Sequence, residues 1–286
     1  MNKFNFCEYF LYPPLNLNRE KLEQKLSGKT LLITGASYGI GKSLCYLLAG
    51  MSVHLVITAR STDKLLILKS EIEKQGTKVS VFSCNLYNTL ECENLINFLK
   101  NISGGIDIFI SNAGKSIRRP LNQSLERFHD YQRTMNLNYF APVQLCLYLI
   151  PVLKKNKGHI ISVSAVNVLL EPAPYWAAYQ ASKTAFDQWL RSNIPELKTM
   201  DITTSIIYLP LVKTRMIVPT PIYKNFPARK PIDAAIIIAK AIISKQNSYK
   251  PWWLFICQFA SLTASKWFRI ICTFYVKKNE KNRNSL

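Results

Sequence analysis

Six short runs of β-branched and other apolar residues recur along the chain, at Thr30–Thr34, Val53–Thr58, Lys78–Ser83, Ile106–Ser111, His159–Val163 and Thr203–Tyr208. Stretches of helical period separate them, such as Asp63–Gln75, which sets Leu65, Leu66, Leu68 and Ile72 on roughly one face. This alternation predicts βαβ units and a parallel sheet, because parallel neighbours need a long crossover between them. The runs are apolar throughout, as strands covered by helices on both faces must be. An α/β fold with one sizeable core and tails fits 286 residues. The organisation expected is an N-terminal arm over residues 1–27, with a short helix near Asn18–Leu26, the alternating region over 28–248, and a tail of different composition over 249–286.

The first run leads directly into Thr34-Gly35-Ala36-Ser37-Tyr38-Gly39-Ile40-Gly41, and a helix is expected from about Lys42. Glycines there let the backbone turn tightly and approach a pyrophosphate, while the helix N-terminus supplies N–H donors and positive potential. Gly35, Ser37, Gly39 and Ile40 are therefore candidate nucleotide-binding residues. The second run ends in Thr58-Ala59-Arg60, where an NAD site would carry Asp or Glu for the ribose hydroxyls. A planar guanidinium suits a 2′-phosphate instead, so NADP is the expected cofactor. The bland reading of Arg60 is a solvated arginine opening the next helix.

With this turn, Asn112-Ala113-Gly114 after the fourth run, and Tyr179-Gln180-Ala181-Ser182-Lys183, the chain resembles the short-chain dehydrogenase/reductase family over residues 29–246. A Tyr-x-x-x-Lys pair is uninformative in isolation; its weight comes from order and spacing with the other motifs. Two longer segments, AGKSIRRPLNQSLERFHDYQRTMNLNYF between Ala113 and Phe140 and YLPLVKTRMIVPTPIY over Tyr208–Tyr223, are similar to bacterial fatty acyl-CoA reductases of the short-chain type. The resemblance implies a Rossmann-type doubly wound parallel sheet. It makes Tyr179 the acid, Lys183 the binder of the nicotinamide ribose, Asn138 the anchor of a water relay, and Thr214 the contact for the nicotinamide carboxamide. Asn112, Ala113 and Gly114 join the cofactor site. Asn85 stands where the family often has Asp beside the adenine. Lys183, one helical turn after Tyr179, is expected to lower a phenol pKa that is ordinarily ~10. The family also places two serines near the end of strand five, the second being the carbonyl donor. Here the strand reads Ile160-Ile161-Ser162-Val163-Ser164-Ala165, with Ala165 at the aligned position and one extra residue before Tyr179. Either Ser164 takes the role through a bulge, or the donor is missing, at a loss of about 10²–10³ in rate.

The activity implied is NADPH-dependent reduction of a lipid carbonyl, a fatty acyl-CoA to its aldehyde in the first instance. A lipid or steroid ketone reductase (equally, an alcohol dehydrogenase) and an NADP-binding protein with weakened catalysis are the alternatives. Lys115, Arg118 and Arg119 follow the fourth run and read either as a trap for coenzyme A phosphates or as a solvated basic loop. His54, His129 and His159 are dispersed, so no metal is assigned.

Thirty-seven Lys and Arg against seventeen Asp and Glu give a net charge of +20, a field that attracts nucleic acid, anionic lipid or phosphorylated ligands. No nucleic-acid motif is present, so that partner is set aside. Seven cysteines scattered through apolar segments read as buried thiols in a reducing compartment. Glu8 and Pro13-Pro14 interrupt the apolar N-terminus, so no signal peptide is expected. A cytoplasmic location follows. In the tail, Gln258, Ser261, Ser265, Arg269 and Thr273 form one narrow polar stripe on an otherwise apolar helix over Trp252–Val276, and Lys277, Lys278, Lys281 and Arg283 follow it. Such a helix suits peripheral contact with the inner face of a membrane. The alternative is docking on the protein itself or across a homo-oligomer contact.

Overall fold

A computed structural model describes residues 5–284. The strands are β1 Thr30–Thr34, β2 His54–Ala59, β3 Lys78–Ser83, β4 Ile108–Ser111, β5 His159–Ala165, β6 Thr203–Leu209 and β7 Ser248–Tyr249. All pairings are parallel, in the order β3-β2-β1-β4-β5-β6-β7. The helices are α1 Asn5–Leu11, α2 Arg19–Leu26, α3 Gly39–Leu48, α4 Thr62–Glu73, α5 Thr89–Lys100, α6 Phe128–Met135, α7 Ala141–Asn156, α8 Ala177–Thr199, α9 Pro231–Ser244, α10 Leu254–Thr263 and α11 Ser265–Asn284. This is the doubly wound Rossmann-type sheet that the sequence pattern implies. The six expected runs fall on β1 to β6, shifted by a residue or two at some ends. β7 escaped because two residues carry no readable period.

The pleat sorts the core into two layers, since successive side chains point to opposite faces. Leu31, Ile33, Ile161 and Val163 pack with α2, α3, α4 and α9. Leu32, Phe109, Ile160 and Ile206 pack with α5, α7 and α8. Both Leu22 and Leu26 of α2 are fully buried, so this helix adds to the first layer. Its start is fixed by Asn18, whose side-chain oxygen accepts from the Lys21 N–H at 2.8 Å.

β1 and β4 are neighbours, whereas β2 and β3 lie on the far side of β1. The winding therefore reverses between β1 and β4, and their carboxyl ends open the crevice in which such sheets bind ligands. A π-helical turn at Asn136–Phe140 joins α6 to α7, and it places Asn138 in the interior. Such turns are enriched at functional sites. By length and composition the continuous helix Phe128–Asn156 is able to cross a membrane. Its Leu145, Cys146, Leu149 and Leu153 instead lie buried in the second core layer.

The C-terminal segment is two helices rather than the single one expected. The chain leaves the helical path at Ala264, just after Thr263 turns its hydroxyl back onto the Phe259 carbonyl.

Candidate active site

The nucleotide turn is built by close approach. Gly35 and Gly39 have φ of +70° and +54°, the region that favours glycine. A Cβ at Gly35 would lie 2.9 Å from the Ala113 Cα, and one at Gly41 only 2.5 Å from the Gly35 carbonyl oxygen. The turn can thus lie against the end of β4 while α3 starts directly on it. Thr34 Oγ1 accepts from the N–H groups of Asn112 and Ala113 at 3.0 and 3.1 Å, and Asn112 Nδ2 donates to the Thr34 carbonyl at 2.9 Å. Asn112 and Ala113 therefore staple the carboxyl ends of β1 and β4 together. Ser37 lies in the turn, and Ile40 packs onto the core from the first turn of α3. Tyr38, at the N-cap of α3, makes no side-chain cap bond. The first N–H groups of that helix are left for an anion, and the donor set fits a dinucleotide phosphate.

Cations surround this turn. Arg60 at the end of β2 donates to the Tyr87 hydroxyl at 3.2 Å. Lys64 of α4 lies 4.2 Å from the Tyr38 ring centre, and Arg215, from the segment after β6, lies 4.9 Å from it. The hydrogen bond from Lys64 leads the influences that lower the Tyr38 pKa. Among the described residues none of these three cations has a carboxylate within 4.0 Å. Sequence reading found Arg60 and missed Lys64 and Arg215, which carry no motif; the only signal was Lys64 following Arg60 by four residues. Asn85 presents a buried Oδ1 with no partner, an acceptor free for a ligand donor.

Lys183 and Asn138 meet at Gly114, with Tyr179 one turn before Lys183 on α8. A Cβ on Gly114 would lie 3.3 Å from Asn138 Oδ1 and 3.5 Å from Lys183 Nζ, so glycine there lets these two crowd together. The Asn138 amide is fully used: its oxygen accepts from the Lys115 N–H, and its nitrogen donates to the Lys115 carbonyl and to Ser182 Oγ, each at 2.9 Å. Thr214 seats its Cγ2 against Gly39, so close that a Cβ there would come within 2.9 Å. Burial lowers the Lys183 ammonium to about 8. The expected lowering of Tyr179 by Lys183 is not met. Burial, with a smaller push from Tyr223, lifts the phenol above its ordinary range, while Lys183 Nζ donates to the Val163 carbonyl at 3.0 Å.

β5 carries no bulge. Its register with β6 runs unbroken through Ser164↔Tyr208 and Ala165↔Leu209. Ser164 thus shares a face with Ser162 and Ile160, and its Oγ is buried without a partner. Of the basic loop, Arg119 is already committed: its Nε and that of Arg127 bind the Asp130 carboxylate at 2.9 and 3.0 Å. His129 Nε2 lies 3.4 Å from the same carboxylate. Arg118 is different. Its guanidinium lies 4.8 and 5.0 Å from the ring centres of Tyr175 and Trp176, it donates to the Tyr275 hydroxyl at 3.4 Å, and its Nε is buried and unpartnered. Tyr223 adds its ring 5.8 Å from that of Trp176. Trp176, Tyr223 and Tyr275 form an aromatic rim that sequence reading missed, because each comes from an irregular segment or from the tail.

Comparison with known proteins agrees with this fold. The model of the short chain dehydrogenase family matches residues 29–221. A fatty acyl-CoA reductase of Acinetobacter baylyi is 40% identical over 78% of this chain and 75% of its own length. One of Mycobacterium tuberculosis is 39% identical over 78% and 76%. Among solved structures, a metagenomic short-chain oxidoreductase in complex with NADP superposes with a TM-score of 0.68 at 25% identity, covering 79% of this chain and 97% of that one. A Caenorhabditis elegans short-chain dehydrogenase/reductase of unknown function, with cofactor, gives 0.68 at 27% identity over 77% and 89%. A glycine turn at the sheet's switch point, a Tyr–Lys pair one helical turn apart and this likeness over most of the sheet lead to one conclusion: the chain belongs to the short-chain dehydrogenase/reductase family and is an NAD(P)-dependent oxidoreductase.

Proposed function

We propose that the protein reduces a fatty acyl-CoA to its aldehyde with NADPH. What supports the reading most is the crowding of Asn138 and Lys183 around Gly114, one helical turn from Tyr179, together with a nucleotide turn flanked by cations that have no carboxylate partner among the described residues. Arg60, with Lys64 and Arg215 near it, would hold the 2′-phosphate, the turn Gly35-Ala36-Ser37-Tyr38-Gly39-Ile40 the pyrophosphate, and Asn85 the adenine. Lys183 would reach the ribose, and Thr214 the carboxamide. When bound, the reduced nicotinamide supplies the hydride.

The chain's own part is proton transfer and positioning. A phenol held above its ordinary pKa stays protonated at neutral pH, the form an acid must have to quench a developing oxyanion. Lys183 would add positive charge where the cofactor binds, and Asn138, whose side-chain amide is spent on Lys115 and Ser182, would anchor the water that returns the proton. In thioester reduction the carbonyl carbon gains a hydride and the oxygen gains the Tyr179 proton. As the C–S bond of the tetrahedral adduct breaks, its hydroxyl gives up that proton and becomes the aldehyde oxygen, and the thiol leaves with the same single proton on sulfur. The fatty acyl-CoA reductase names of two relatives at 40% and 39% identity support this substrate over a ketone.

The tail fits the same substrate. Two residues of its polar stripe contact Glu171: Ser261 Oγ accepts from the Glu171 N–H at 2.6 Å, and Arg269 Nε pairs with the Glu171 carboxylate at 2.7 Å. Phe255, Phe259, Leu262, Trp267, Ile271 and Phe274 are left exposed, with Lys266, Lys277, Lys278 and Lys281 beside them. An exposed apolar face among cations is the chemistry of contact with an anionic membrane surface.

A second reading, a nucleotide-binding protein with weakened catalysis, rests on Ala165 standing where the donor serine belongs. One experiment separates the two. Purified protein is given NADPH or NADH with acyl-CoA, ketone and aldehyde panels. Acyl-CoA-dependent oxidation of NADPH is expected, lost in Tyr179→Phe without loss of NADPH binding, and Arg60→Ala is expected to narrow the preference for NADPH. Wild-type turnover in Tyr179→Phe rejects the mechanism, and no turnover on any panel favours the weakened protein.

A further inference from the structure

The segment between β6 and α9, residues 210–230, seats Thr214 against the nucleotide turn and Tyr223 at the aromatic rim. Its two limbs lie side by side at their base: the Lys213 N–H donates to the Arg229 carbonyl at 2.8 Å, and the Arg229 N–H to the Leu211 carbonyl at 2.9 Å. Beyond that base, the partners that tie both limbs together come from the opposite end of the chain.

Glu8 of α1 reaches both limbs with one carboxylate. It accepts from Lys213 Nζ at 2.7 Å and from the Ala228 N–H at 3.1 Å. Desolvation works against that charge, yet the Lys213 ammonium and the Ala228 N–H hold the Glu8 carboxyl below its ordinary pKa. One turn on, Tyr12 donates its hydroxyl to the Pro227 carbonyl at 3.3 Å, and the Arg229 guanidinium stacks 5.0 Å from the Tyr12 ring centre. Arg229 is buried and, among the described residues, has no carboxylate within 4.0 Å, so this ring and the Tyr249 hydroxyl at 3.2 Å are what its charge has there. The far side of α1 is itself held: Trp252 Nε1 donates to the Phe10 carbonyl at 3.3 Å, and the two rings meet edge to face.

We propose that α1 is a brace for the 210–230 segment, with Glu8 a positioning residue for the nucleotide site, acting through Lys213 and Ala228 on the adjacent Thr214. Glu8 touches neither nucleotide nor substrate. It fixes the spacing of the two limbs, and Lys213 hands that spacing to Thr214 across a single peptide bond. Without the carboxylate, Lys213 turns to water, the Ala228 N–H loses its acceptor, and Thr214 is no longer pressed onto Gly39. The inference rests on the reading of Thr214 as a nucleotide contact.

The test uses the full chain. Binding of NADPH is followed by its fluorescence, and trypsin cleavage after Arg215 is followed in nucleotide-free protein. Glu8→Ala is expected to weaken NADPH binding by about tenfold, the equivalent of one charge-assisted hydrogen bond, and to speed the cleavage. Glu8→Gln, which keeps an oxygen for Ala228 but not the ion pair, should fall between. Exchanging the charges, Glu8→Lys with Lys213→Glu, should recover part of what Glu8→Lys alone loses. Wild-type affinity and cleavage in Glu8→Ala overturns the brace, as does a charge exchange no better than the single change. If Thr214→Ala binds NADPH normally while Glu8→Ala does not, the brace stands and only the reading of Thr214 falls.

Discussion

Ser164 and Ala165 differ by one step of the pleat, so their side chains leave β5 on opposite faces of the sheet. With β5 in unbroken register, moving Ser164 onto the face of Ala165, the position aligned with the family's donor serine, would break its pairing with β6. A hydroxyl placed at Ala165 needs no such change. Ala165→Ser is therefore expected to raise turnover by about tenfold or more, within the range assigned to one oxyanion donor, while Ser164→Ala changes it little. Steady-state kinetics on the two variants checks this, and a silent Ala165→Ser would move the donor to the rim, where Trp176 Nε1 is buried without a partner. At this scale the sequence was readable where chemistry demands a fixed spacing. Tyr179 and Lys183 share a helix face, and Gly35, Gly39 and Gly41 are forced by close approach. Lys64, Arg215 and Tyr223 obey no spacing, since a helix start and an irregular segment bring them in.

Among the elements, the alternating core was legible because burial on both faces writes β-branched runs into every central strand. The tail was legible only in part. Two members of its polar stripe, Ser261 of α10 and Arg269 of α11, reach one residue, Glu171, while Thr273 stays exposed. A surface helix is usually read as polar side out; here the nearest polar partner was a loop residue ninety positions away, which no local pattern can show. Arg269 is largely exposed, so its ion pair contributes less than about 1 kcal/mol, and the two helices are held loosely. Glu171→Gln should accordingly speed amide hydrogen exchange across α10 and α11 while leaving β1 to β6 unchanged. Equal acceleration in the sheet would mean that these helices are part of the core's cooperative unit.

For the whole molecule, charge is unevenly spread. From Lys240 onward nine Lys and Arg face the single acid Glu280. Each basic side chain near an anionic bilayer contributes about 1 kcal/mol, falling off within a Debye length. The protein is expected to sediment with phosphatidylserine-containing vesicles at low salt, to release as salt rises, and to lose binding when residues 250–286 are removed. Failure of the full chain to sediment rejects the membrane reading; unfolding of the truncated chain makes the tail a structural layer instead. One contact gives this arrangement a longer reach. Tyr275, on α11, touches Arg118 at the rim, yet the family match ends at residue 221. Part of the rim thus comes from a stretch that the family does not share, and a lineage can trade one tail for another and alter this contact while Tyr179 and Lys183 stay as they are.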